Sequence, residues 1–220
     1  MWIAGLVAAL AGAPAPTVAQ DLADLDYENL EFRGMGLEVG YIFPTRVERT
    51  PTYTVNFDMG YLGPGLRIAP SFTYWSAPFK ASEVTTLEER VASLVRRQTG
   101  APSPIVDLGT IEWTNYSLGL DAHVVWALPL NLLSLGGLGI SAHVMDGSGP
   151  AIAGTFVEDL LASVSAGFNM HLGFEYPVSN GFRVRTIGRY AIMEDMQYFS
   201  VGLGGQLLWG RLVPGEERGR

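Results

Sequence analysis

Apolar and polar residues alternate with period two through most of the chain, in segments long enough to be membrane strands. In the first segment Met35, Leu37, Val39, Tyr41 and Phe43 oppose Gly34, Gly36, Glu38 and Gly40. In the second, Tyr53, Val55, Phe57, Met59 and Tyr61 oppose Thr52, Thr54, Asn56, Asp58 and Gly60. The third sets Leu66, Ile68, Phe72 and Tyr74 against Arg67, Ala69, Ser71 and Thr73. The fourth sets Tyr116, Leu118, Leu120, Val124 and Trp126 against Asn115, Ser117, Gly119, Asp121 and His123. The fifth sets Leu138, Ile140, Ala142 and Val144 against Gly137, Gly139, Ser141 and His143. The sixth sets Phe168, Met170, Leu172, Phe174 and Tyr176 against Asn169, His171, Gly173 and Glu175. The seventh sets Phe182, Val184, Tyr190 and Ile192 against Arg183, Arg185 and Arg189. The last sets Phe199, Val201, Leu203, Leu207 and Trp209 against Ser200, Gly202, Gly204 and Gln206. A tilted membrane strand needs about 9–11 residues, more than the usual strand of a soluble sheet.

The bulk of each face decides which one points outward. The polar face is rich in Gly, Ser and Thr and carries four acids (Glu38, Asp58, Asp121, Glu175) and four bases (Arg67, Arg183, Arg185, Arg189). The interior of an eight-stranded barrel is just wide enough for side chains. Small residues and paired charges fit there, so the bulky apolar face is assigned to lipid, which only a closed barrel can enter with strands. The predicted fold is an all-β, closed, antiparallel, up-and-down transmembrane barrel of about eight strands, with room in 127–134 or 146–163 for one more hairpin. With the N-terminus periplasmic, Gly63-Pro64-Gly65 and Ser179-Asn180-Gly181 read as tight inner turns, and 76–109 and 146–163 as long outer loops. The inner link 127–134 is apolar and longish, and the outer link Glu194-Asp195 is tight. Aromatic residues sort into two girdles. Tyr61, Trp126, Tyr176, Phe182 and Trp209 fall at inner strand ends, and Tyr41, Phe43, Tyr53, Tyr74, Tyr190 and Phe199 at outer ends.

Residues 1–19 read as a cleaved secretory signal: Trp2 to Ala13 is apolar and Thr17-Val18-Ala19 places small residues for cleavage, although no basic residue precedes the apolar run. That run is too short for a comfortable helical span of about 20 residues. Residues 20–29 form a polar lead-in, 30–209 the barrel and 210–220 a polar tail. The net charge, 14 Lys+Arg minus 22 Asp+Glu, is −8, which argues against a nucleic-acid partner. The chain has no cysteine, so it has neither disulfides nor thiolate chemistry.

A signal, alternating strands, aromatic girdles and a last strand ending Gly204-Gly205-Gln206-Leu207-Leu208-Trp209 make residues 30–209 resemble the small outer-membrane β-barrel proteins of the OmpA/OmpX/OmpW type. The resemblance implies an outer-membrane location, lipid as the surrounding partner, and a small solute or surface partner reached through the outer loops. The tail beyond Trp209 departs from the many relatives that end at the aromatic. Pro70, inside the third strand, predicts a bulge there, because a closed barrel has no free edge to tolerate it.

Chemistry is sparse. His123, His143 and His171 fall on the polar face of consecutive strands, but the count from the inner ends lifts His143 well above the other two. They read as parts of an interior polar network, and no metal or cofactor is assigned. Glu175 and Arg183 should face each other across the sixth–seventh hairpin, and Asp58 and Arg67 should be diagonal neighbours; such pairs would close the lumen. In the outer loop, Ser82 can cap a helix over 82–98 in which Val84, Leu87, Val91, Leu94 and Val95 recur at helical spacing. Thr155 and Glu158 form a capping box for a second, short helix. Some small barrels resembling this one are lipid-modifying enzymes with a His, Ser and acid at the lipid-facing rim; no such trio shows in the sequence. The reading is a non-enzymatic barrel with a structural, surface-binding or small-solute-passing role. The alternatives are a narrow gated channel, a lipid-modifying enzyme, and a soluble lipid-binding barrel with its apolar face inside.

Overall fold

The computed structural model describes residues 30–63, 65–100, 105–194 and 196–209. The predicted signal, lead-in and tail lie outside the described residues, as do Pro64 and Asp195 of the two tight turns. Eight strands close into one antiparallel barrel in sequence order: β1 (Leu30–Pro44), β2 (Thr50–Gly60), β3 (Leu66–Pro78), β4 (Glu112–Ala127), β5 (Leu133–Ser148), β6 (Ser163–Ser179), β7 (Phe182–Met193) and β8 (Gln197–Leu208). β1 pairs with β8 from Gly34–Leu208 to Pro44–Tyr198. Just past β8, Trp209 fastens the seam: its backbone N–H donates to Arg33 O and its indole Nε1 to Phe32 O at 3.1 Å.

The barrel is inside out relative to a soluble one. Leu37, Leu118, Ile140, Leu172 and Leu203 project outward, while Arg67, Asp121, His123 and Glu175 are buried within. The soluble lipid-binding alternative, which required the apolar face inside, is thereby excluded. No described helix is long and apolar enough to cross a membrane; the strands are the transmembrane elements.

Two links and one bulge depart from the sequence reading. The apolar link after β4 is a compact turn, with a 3-10 segment Pro129–Asn131 in which Leu130 and Asn131 both have positive φ (66° and 59°). The Leu128 N–H donates to Leu132 O at 2.7 Å across it. Neither this link nor the long 146–163 region holds an extra strand; the latter is spanned by the ends of β5 and β6 and a short helix. At Pro70 the β4 ladder runs through without a shift. The β2 ladder instead stops at Asn56–Ser71, and the next bridge joins Tyr61 to Arg67. Residues 57–60 thus oppose only 68–70, a one-residue bulge on the β2 side of the proline, which has no N–H to give.

The end of the barrel away from Leu30 and Leu208 carries the helices, and we call it the loop end. Helix α1 (Ala81–Thr99) stops at Gly100, whose φ of 67° lets its N–H bond back to Arg96 O. Its N-cap is Lys80 rather than Ser82, with no side-chain capping bond; Lys80 Nζ instead donates to Pro44 O and Thr45 O, at 2.8 Å each, on the β1–β2 loop. Helix α2 (Phe156–Leu161) is capped by Thr155, whose hydroxyl accepts from Val157 N, while Glu158 accepts from Gly154 N.

Candidate functional site: a stratified lumen

The interior is layered. At the loop end the inward positions turn apolar: Ile42, Trp75, Ala77, Trp113, Met145 and Met193 meet Phe79, Val91, Ile111, Ile152, Val157 and Leu161 from the loops and helices. Alternation alone does not reveal this layer, because Trp75 and Ala77 continue the face that lower down is polar. Polar contacts lock the cap in place. Arg46 Nε donates to Glu83 Oε2 at 3.0 Å, Leu108 N to Glu88 Oε1 at 2.9 Å and Trp113 Nε1 to Leu161 O at 3.2 Å. Phe79 stacks on Trp113 with centroids 5.0 Å apart.

Beneath the cap lies a small chamber of ≈ 30 Å³ walled by Thr52, Thr54, Ser71, Thr73, Ser117 and His143, among others. That volume holds about two waters. In its wall, Ser141 Oγ shares a 2.8 Å hydrogen bond with His143 Nε2, and His143 Nδ1 another of 3.0 Å with Asn115 Oδ1. The trio of a lipid-modifying barrel belongs on the lipid-facing rim. This one lies inside the barrel, assembled from β4 and β5, so a rim pattern could not reveal it.

Deeper in, each of the four interior acids meets an arginine. Asp121 accepts from Arg189 Nη2 at 2.7 Å and Nη1 at 3.2 Å. Glu38 accepts from Arg185 at 2.9 Å. Glu175, with no exposure at all, accepts from Arg67 Nη2 at 2.6 Å, from Arg67 Nη1 at 2.9 Å and from Arg183. Arg183 also reaches Asp58 at 3.0 Å, while Arg67 stands 3.7 Å from the same carboxylate. The expected hairpin register is off by two residues: the partner of Glu175 is Arg185, and Arg183 sits opposite Pro177, nearer the turn, from where its guanidinium reaches back to Glu175. A buried ion pair offsets its desolvation only with good geometry and satisfied partners, and removing one partner strands the other.

His123 and His171 flank Gly137 in the ladder and their rings meet edge to face, centroids 4.7 Å apart. His143 lies six residues further along β5, roughly 20 Å at the strand rise. A second apolar cluster, formed by Val125, Leu133, Leu135 and Ile187, packs beside the ion pairs, where Leu133 is the ladder partner of Glu175.

Tyr61 packs on that inner cluster and does not join the lipid-facing girdle assigned to it. The bulge is the cause. Paired residues point the same way, and the shift pairs Tyr61 with the inward Arg67. Tyr41, Phe43, Tyr53, Trp126, Tyr176, Tyr190, Phe199 and Trp209 are exposed on the outer surface, while Tyr74 and Phe182 are half-buried. Neighbours add to them: Tyr116 packs against Tyr74 at 5.2 Å and Phe32 against Trp209 at 5.0 Å.

No family model matches the chain, and no curated protein matches it. Among solved structures it is similar to neisserial surface protein A, with 10% identity, a TM-score of 0.54, and 80% of this chain and 97% of that one covered. The N-terminal β-barrel domain of Pseudomonas aeruginosa OprF follows at 12% identity, a TM-score of 0.48 and coverages of 80% and 97%. Yersinia pestis Ail, solved with the heparin analogue sucrose octasulfate, stands at 10% identity, a TM-score of 0.46 and coverages of 81% and 99%. The chain is thus an eight-stranded, up-and-down transmembrane barrel with the fold of the small OmpA/OmpX-like outer-membrane barrels.

Proposed function

We propose that the chain is an outer-membrane protein in which the barrel is a sealed anchor and the loop-end cap is the working surface, with a structural or surface-binding role. One observation carries the reading: the lumen is filled. The Arg67–Glu175–Arg183–Asp58 cluster and the apolar residues packed beside it block its lower part, and the apolar cap closes it at the loop end. Four acids against four arginines leave no net charge there to select an ion. The cap presents a fixed surface, since Arg46–Glu83, Lys80 and the Glu88–Leu108 bond tie α1 to neighbouring loops. The lipid-facing belt and the fold likeness support residence in an outer membrane, reached through a signal over residues 1–19. The reading is non-enzymatic. The Ser141–His143–Asn115 contacts line a chamber of ≈ 30 Å³, far too small for an acyl chain, and serve there as a structural hydrogen-bond chain.

The test is single-channel recording of the refolded mature chain in a planar bilayer, with insertion verified by protease protection of the barrel. The expected result is a silent bilayer. Discrete, reproducible steps from the unmodified chain would overturn the sealed anchor and favour the narrow gated channel.

A further inference from the structure

Asp121, His123 and His171 each aim a ligating atom at one point in the lumen, and these atoms all lie within 4.8 Å of one another. All three residues are buried, and both Nε2 atoms lack a hydrogen-bond partner. A buried imidazole nitrogen without a partner is a costly arrangement, and here two of them converge beside a carboxylate. The surroundings hold two ligands ready. Asn169 Nδ2 donates to Asp121 Oδ1 at 3.1 Å, which leaves Asn169 Oδ1 to accept from His171 Nδ1 at 2.8 Å. The proton of His171 is thereby fixed on Nδ1 and its lone pair on Nε2, the outer-shell bond expected of a metal-ligating histidine. The strand between the ligand pairs makes room with two glycines: a Cβ on Gly137 would stand 2.8 Å from His171 Nε2, and one on Gly139 would stand 1.9 Å from Asp121 Oδ1.

We propose that Asp121, His123 and His171 form a site for a divalent transition metal of the zinc, cobalt, nickel or copper class, clamping β4 to β6 across β5. Two imidazoles and one carboxylate select that class over magnesium or calcium. A water completes a tetrahedral shell. Tetrahedral ligands at about 2.0–2.1 Å stand roughly 3.3 Å apart, so the widest separation in the cluster closes by at most about 1.5 Å on binding. On His123 the ring proton moves to Nδ1, which ends the long 3.4 Å contact from Arg67 Nη2; Arg67 keeps its 2.6 Å bond to Glu175. Arg189 remains on Asp121, and Arg67 and Arg185 are near.

The test uses the mature full chain, without an affinity tag, folded in detergent and titrated with cobalt(II) while its visible d–d bands are read. Zinc displacement is the second readout. The expected result is one ion per barrel, bands of tetrahedral intensity, and bleaching by zinc. His123→Gln and His171→Gln should each weaken binding at least tenfold while migrating as compact, folded barrels. Asn169→Ala, which removes both outer-shell bonds, to Asp121 and to His171, and no ligand, should weaken it about 10–100-fold. His143→Gln lies outside the cluster and should bind as the unmodified chain does. Absence of stoichiometric cobalt binding by the folded chain overturns the site. Undiminished binding by whichever of the His123, His171 and Asn169 variants folds would overturn it too, since the ion would then sit elsewhere.

Discussion

Replacing Glu175 by Ala removes the one acceptor shared by Arg67 and Arg183 and leaves two guanidiniums buried with only Asp58 between them. Stranding a buried charge in this way costs about 3–5 kcal/mol. A urea titration in lipid vesicles should show the loss as a lowered midpoint, and Arg67→Met combined with Glu175→Leu should recover part of it. The identity of the interior residues was legible, because period-two alternation assigns a face without knowledge of contacts. The partners were not. Arg183 answers to Glu175 although the ladder places it beside Pro177, since a guanidinium spans two residues of register. Likewise the alternation put Asp121, His123 and His171 inside, but only the register of β4, β5 and β6 brings them to one point.

At the scale of elements, the strands and their order follow from pattern, whereas the turns depend on backbone chemistry that composition obscures. The β4–β5 link is the clearest case. Inside the Leu128–Leu132 closure, two successive residues are left-handed, a conformation that favours Gly and Asn, yet the chain supplies Leu130 at the first. Leucine in that region carries a penalty of about 1–2 kcal/mol, and the 89%-exposed Leu130 side chain gains little from packing against its own barrel. Leu130→Asn should therefore raise stability by about 1 kcal/mol, read as a higher urea midpoint with an unchanged slope. A fall instead would show that Leu130 works as a lipid contact. The bulge shows the same division. Pro70 announced an interruption, but nothing in the sequence said that the extra residue would fall on β2 and turn Tyr61 inward. The helix of the long loop was legible from its spacing. Its start was not, because Lys80 caps it without a side-chain bond.

For the molecule as a whole, closure is the decisive event, and the interior pairs depend on it. Arg67 and Glu175 are 108 residues apart, Asp58 and Arg183 125, and Glu38 and Arg185 147. Such separations belong to slow, late-forming contacts. The Glu175→Ala variant should accordingly unfold faster while its folding rate stays nearly unchanged, as measured by tryptophan fluorescence in stopped-flow refolding into vesicles. A large drop in folding rate would place the network in the nucleus instead. The late pairing has a further consequence for the chain before it reaches the membrane. An unclosed sheet shows water one face of Ser, Thr and Gly bearing four carboxylates and four guanidiniums, each hydrated and none yet committed. The groups that later lock the barrel shut are thus the ones that keep its precursor wetted in transit, and the change from solvated face to dry bolt takes place only where lipid is at hand to accept the other side.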